Sequence, residues 1–259
     1  MKKLIRRIKN IVLFGFIIGI VAFIFLRNFF YEVPILKYNR IATYCPKMPL
    51  ICVSPKIFQK QMDFISRYGY KVISLKELVN ALSKKQTLPH NAVVITFDDG
   101  YDDIYRNAFA VLKKNRFPAT VFVITDFVGK EKFLSWEQLR QMQGQGIDIA
   151  SHTKTHSYLP DIVDEQRLWN EIFESKKELE NQMDRPINLF SYPTGGYNYK
   201  IIDFVRRAGY IAACTTNRGR YHLNPDIYAL RRIRLNDHSD NLLVMWIKLS
   251  GIYNLFRRR

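Results

Sequence analysis

The sequence Ala92-Val93-Val94-Ile95-Thr96-Phe97-Asp98-Asp99-Gly100 carries an apolar run straight into two adjacent carboxylates and a glycine. Residues 92–96 read as a buried strand, because valine and isoleucine favour extended backbone and no charge interrupts them. Neighbouring carboxylates repel. Ionised groups at the mouth of an apolar strand are costly unless a cation or a proton offsets them. A metal bound by one aspartate, with the other free to take protons, resolves that cost. The same two residues also read as a helix N-cap and a solvated turn residue, and taken alone they leave both readings open.

On either side of this stretch, strands and helices alternate. Ser54 and Pro55 open a helix that Gly69 closes, with Phe58, Met62 and Ile65 along one face. A strand at 71–73 is followed by Ser74-Leu75-Lys76-Glu77, a capping box that starts a second helix. Beyond Gly100 comes an amphipathic helix through Ile104, Phe109, Val111 and Leu112, then strands at 119–124 and 147–150 with a helix from Ser135 between them. A long charged helix over 164–183 precedes a strand at 188–192, which runs into Pro193-Thr194-Gly195-Gly196. A helix from Asn198 to Gly209 leads to further strands at 210–215 and 231–235. Such alternation predicts an α/β fold with a parallel sheet, and six or seven units in one domain predict a closed or nearly closed barrel.

The two tails differ from this core. The 259 residues carry a formal charge of +17. Eight of those charges are Lys2, Lys3, Arg6, Arg7, Lys9, Arg257, Arg258 and Arg259. No zinc-finger, RNA-recognition or helix-turn-helix signature accompanies them, so nucleic acid is not an expected partner. Residues 11–26 are uncharged and almost wholly apolar. As a helix they span about 24 Å, a little short of a ~30 Å hydrocarbon core, and Phe29, Phe30 and Tyr31 extend the span. No small-x-small cleavage site follows, which favours a retained anchor over a signal peptide. The sequence therefore predicts three parts: a basic N-terminus and transmembrane helix over 1–32, one domain over 33–240, and an apolar helix with a basic tip over 241–259. Membrane lipid is the expected partner of the first part, and the positive-inside rule puts the domain on the extracytoplasmic side. Cys45, Cys52 and Cys214 make no disulfide scaffold, and a Cys45–Cys52 bridge stays open.

A second constellation, Ser151-His152-Thr153-Lys154-Thr155-His156, also follows a strand. One aspartate with two histidines is a common catalytic ligand set that leaves a position for water. In parallel barrels the C-terminal ends of strands are where sites assemble. Together, Thr96-Phe97-Asp98-Asp99-Gly100 and His152-Thr153-Lys154-Thr155-His156 resemble the polysaccharide deacetylase family (carbohydrate esterase family 4, the NodB-homology domain). They match its TFDDG and H-S/T-x-x-H patterns in order, and the resemblance spans Tyr38 to Leu235. It implies a distorted (β/α) barrel of NodB type with about seven strands, a divalent metal (usually zinc), and removal of N-acetyl groups from hexosamine polymers.

Carried over residue by residue, the resemblance assigns Asp99, His152 and His156 to the metal and Asp98 to the general base. It assigns the amide of Thr194, after Pro193, to the oxyanion. Ser191 stands where the family usually has an arginine, two residues before the proline. The branch resembling poly-N-acetylglucosamine deacetylases also lacks that arginine. That branch carries a Tyr-His near its N-terminus, and reading Tyr44-Cys45 as this pair puts Cys45 where an imidazole acid is expected. A thiol, with a reference pKa of about 8.5, is a poor substitute. His238 has two readings, a solvated loop residue or one that reaches the pocket, and the first is favoured. Two readings follow: a membrane-anchored deacetylase acting on N-acetylated glycans at the bacterial envelope, or a non-catalytic glycan-binding relative that keeps the metal. Cys45 separates them.

Overall fold

The computed structural model describes residues 2–30, 32–45, 49–216, 226–239, 241–250 and 253, and the side chains of 2–5, 20, 23–30, 49 and 238 fall outside that description. Its centre is a curled parallel sheet. The strands are β1 (Ile35–Tyr38), β2 (Arg40–Ile41), β3 (Cys52–Val53), β4 (Lys71–Val72), β5 (Ala92–Phe97), β6 (Ala119–Val123), β7 (Ile147–Ser151), β8 (Leu189–Ser191), β9 (Ala212–Cys214) and β10 (Ile233–Arg234). The sheet runs β10-β1-β5-β6-β7-β8-β9, with β4 paired to the start of β5, while β2 and β3 form a separate parallel pair. The segment leading into β10 brings the ends together. Leu230 bonds to Ala213 and Thr215, and three residues later Ile233 lies opposite Leu36. The predicted nearly closed barrel is found, with eight strands in its sheet.

Side chains alternate across each strand, and this sorts the molecule into two cores. Val93, Ile95 and Phe97 face outward, into one cluster with Phe58 of α2 (Pro55–Arg67), Leu112 of α4 (Phe109–Asn115) and Leu139 of α5 (Trp136–Gln143). The same cluster holds Leu168 of α6 (Glu165–Trp169), Leu179 of α7 (Ser175–Met183) and Val205 of α8 (Tyr199–Arg207). Ala92 and Val94 face inward and meet Ile35, Phe122, Ala150, Leu189 and Ala212. Leu75, Leu78 and Val79 of α3 (Leu75–Ser83) join this second cluster. The long charged helix expected over 164–183 is found as α6 and α7 joined through a π-helical turn, Asn170–Glu174.

One strand was not expected, the C-terminal helix is found over part of its expected range, and one expectation is not met. Residues 35–38 form β1, a strand the periodicity did not announce because Lys37 interrupts its apolar run. The C-terminal helix α9 spans Leu242–Leu249 and packs with Met245, Lys248 and Leu249 buried; the basic tip lies outside the described residues. At the other end, Lys2–Phe30 form one 29-residue helix, α1. Among the described residues no helix is long and apolar enough to cross a membrane, so the expected transmembrane span is not met there. The uncharged apolar stretch of α1, residues 11–26, is sixteen residues long. A span needs about 20 predominantly apolar residues.

Candidate active site

The inward positions of the barrel change from apolar to polar toward the C-terminal ends of the strands. On β5 the inward series is Ala92, Val94, Thr96 and Asp98. On β1 it continues from Ile35 to Lys37 and Asn39, and on β7 from Ala150 to His152. β8 contributes Ser191, and the residue before β10 is Arg232. All are buried. A two-residue repeat therefore delivers a ring of polar side chains to one end of an apolar tube.

Asp99, His152 and His156 come together there. Their ligand atoms all lie within 4.8 Å of one another, and Nε2 of each histidine stands 3.4 Å from Asp99 Oδ1. His152 Nδ1 lies 2.7 Å from the Ser191 carbonyl, which can only accept. Nδ1 therefore donates to it, and Nε2 is the ring nitrogen turned toward Asp99. Two imidazole nitrogens and one carboxylate oxygen, one ring oriented by a backbone carbonyl, fit a divalent metal ion with a position left over.

Asp98 is handled differently. Arg232 grips it with two parallel bonds, Nη1 to Oδ1 at 2.6 Å and Nη2 to Oδ2 at 2.8 Å. Lys37 Nζ lies 3.1 Å from Oδ2 on another side. Burial alone would raise this carboxyl, but Arg232, Lys37 and His152 reverse the effect and hold it well below the usual carboxylate range. Burial pulls Lys37 below the ordinary lysine range, with Asp98 opposing the shift. Arg232 also donates to Ser191 Oγ at 2.8 Å. The guanidinium missing from two residues before Pro193 thus arrives from the far end of the chain, and lands on the serine that replaced it.

The proton-donor assignment is corrected. Cys45 is bonded to Cys52, so its sulfur carries no ionisable proton and is not a general acid. The Tyr-x pair that ends a strand at the site is Tyr38-Asn39, not Tyr44-Cys45. Asn39 Nδ2 donates to Asp99 Oδ2 at 2.7 Å, and its Oδ1 accepts from Lys37 at 2.9 Å. Lys37, Asn39 and Arg232 were all missed in the sequence. Alternation would have flagged Lys37 once Ile35–Tyr38 was recognised as a strand, and Arg232 lay within the strand already expected over 231–235. Cys214 is buried, which pushes its thiol up to about 12. The side chain of His238 lies outside the described residues.

Thr194 sits on the turn after β8 with φ 54° and ψ 0°. Among the described contacts its N–H has no acceptor, while its carbonyl is held by Thr216 Oγ1 at 2.7 Å. Gly195 makes this turn possible: with φ +86°, a Cβ there would fall 2.0 Å from Thr216 Oγ1. Three further residues at the site, Asp99, Thr153 and His156, also have positive φ, between 65° and 70°. L-residues other than glycine rarely adopt that backbone, and such strain gathers where function needs a side chain at a set angle.

Known proteins place this arrangement. The family model described as polysaccharide deacetylase matches residues 85–213. A putative polysaccharide deacetylase, YxkH, of Bacillus subtilis strain 168 is 33% identical over 205 residues, covering 79% of this chain and 72% of its own. Poly-beta-1,6-N-acetyl-D-glucosamine N-deacetylase of Staphylococcus aureus strain MSSA476 is 27% identical over 208 residues, covering 75% of this chain and 71% of its own. Among solved structures, the Streptococcus pyogenes deacetylase PplD in complex with acetate superposes with a TM-score of 0.75 at 29% identity, covering 82% of this chain and 97% of that one. With its strand-end carboxylate pair and two converging histidines, the chain belongs to the polysaccharide deacetylase family and is a deacetylase-type hydrolase.

Proposed function

We propose that the chain removes N-acetyl groups from N-acetylhexosamine-containing polysaccharide at the cell envelope, with a divalent metal of the zinc type held by Asp99, His152 and His156. The observation that carries this reading is the convergence of both Nε2 atoms on Asp99 Oδ1, with Asp98 beside them and outside the ligand set. A bound ion of this kind supplies an acidified water and polarises the acetamide carbonyl. Asp98, held ionised by Arg232 and Lys37, is the base that would take a proton from an attacking water. The Thr194 N–H meets the charge that develops on the carbonyl oxygen. Asn39 cannot donate a proton as an imidazolium does. Among the described side chains bordering Asp99, Asp98 is then the group that returns its proton to the departing amine.

Two features support the location. Ile11, Val12, Leu13, Phe14, Phe16 and Ile17 of α1 are exposed, as suits a helix that meets lipid, and five cations precede them. The Cys45–Cys52 bond suits an oxidising compartment. The reading is therefore a protein held at a bacterial membrane by the apolar face of α1, with its barrel on the extracytoplasmic side.

The test is acetate release from N-acetylglucosamine oligomers by the detergent-solubilised full chain, with zinc or cobalt added. Release that disappears in Asp98→Asn supports the reading. Equal release by wild type and Asp98→Asn would remove Asp98 from the mechanism.

A further inference from the structure

The carboxylate pair is offset by more protein charge than one ion pair requires. Arg232 already neutralises Asp98 through a bidentate grip, the strongest geometry a guanidinium offers a carboxylate. Lys37 adds a second cation to the same carboxylate, and it is 5% exposed. Its ammonium is also one residue removed from the metal ligands. It donates to Asn39 Oδ1, and the amide of Asn39 holds Asp99 Oδ2. Leaving the histidines aside, Lys37 and Arg232 balance Asp98 and Asp99 to a formal charge of zero. An apolar residue at position 37 would leave the cluster at minus one.

We propose that Lys37 is a positioning residue that sets how weakly the Asp99–His152–His156 site holds a divalent cation. It acts through charge, and through Asn39 on the orientation of Asp99. This rests on the metal-site reading above. A divalent ion entering this cluster meets a buried ammonium that water screens poorly. Unit charges a few ångströms apart in a protein interior repel strongly enough to change a binding constant by about tenfold or more. Lys37 meets Asn39 and Asp98, and through Asn39 it reaches Asp99. Its effect is on occupancy of the site. A chain of this kind loads metal reversibly, and its activity follows the free metal concentration over a range where a tighter site stays full.

The experiment measures the zinc dissociation constant of the full chain in detergent by competition with a chromophoric chelator, alongside melting curves with and without zinc. Lys37→Met is expected to bind zinc at least about tenfold more tightly and to gain more melting temperature from zinc than wild type does. Lys37→Arg, which keeps the charge, is expected to stay near the wild-type constant. Lys37→Gln serves as the neutral variant if Lys37→Met does not fold. Unchanged or weaker zinc binding in the neutral variants overturns the proposal. Lys37→Arg binding as tightly as Lys37→Met overturns it as well, because shape and not charge would then be responsible. The control is His156→Ala: zinc held there as in wild type would overturn the metal site itself, an outcome separate from any effect at Lys37.

Discussion

Replacing Arg232 with leucine tests whether Asp98 is held by a buried ion pair. The guanidinium is fully enclosed and makes two bonds to Asp98, one to Ser191 Oγ at 2.8 Å and one from Nε to the Thr215 carbonyl at 3.2 Å. Removing one partner of a buried pair costs about 3–5 kcal/mol, because the other charge is left without compensation. Lys37 stays on Asp98, so the lower end of that range applies, about 3 kcal/mol. For a chain of this size that corresponds to a fall of about 6–12 °C in melting temperature. The pH dependence follows from the direction of the Asp98 shift. A carboxyl lowered from the ordinary 3.8 contributes stability that is full above 3.8 and lost only as pH falls through its lower folded value. The gap between wild type and Arg232→Leu should therefore be full at neutral pH and narrow as the pH drops below about 4. Thermal unfolding followed by circular dichroism at pH 7 and stepwise from about pH 4 down to about pH 2 reads both quantities. A variant that melts within 2 °C of wild type at pH 7 would refute the reasoning (the threshold is about 1 kcal/mol). So would a gap that does not shrink with acid.

Three other outcomes follow from the site. Asn39→His places an imidazole where the amide now meets Asp99, and acid help is typically worth about 10²–10⁴-fold; a rise in kcat for oligomer deacetylation is expected, and an unchanged kcat would show that amine protonation does not limit the rate. Cys45→Ala should release acetate like wild type, since its sulfur is not in the chemistry, while losing about 2 kcal/mol of stability for a short loop; reductant should lower the wild type to the same level. Gly195→Ala, which cannot keep φ +86° beside Thr216, should cost about 1–3 kcal/mol and lower kcat more than it raises KM, because the Thr194 N–H would no longer meet the developing charge.

Within the barrel, the sequence and the structure agree best where a pattern is local. Strand β5 and the Asp98-Asp99 pair, and β7 with His152 and His156, were readable because apolar periodicity and ligand spacing both lie within a few residues. The charge balance was not readable. Asp98 meets Lys37 61 positions before it and Arg232 134 positions after it, and only closure of the barrel brings those three together. β1 escaped notice because its lysine looked like a break in an apolar strand, when inward alternation at the polar end of a barrel is the reason a lysine is there. Taking Tyr44-Cys45 for the strand-end pair followed from that omission. The missing arginine before Pro193 had a physical answer too: a guanidinium can reach one point in a barrel from several strands, and here it comes from Arg232.

Asp99, Thr153, His156 and Thr194 all sit in backbone conformations that a glycine or an asparagine would adopt at less cost. The fold would be stabler without them. A campaign of random mutagenesis scored only on heat resistance would therefore drift toward glycine or asparagine at these positions, and the most robust survivors would be well-folded barrels with their chemistry erased. Stability screens of this scaffold need an activity gate from the first round.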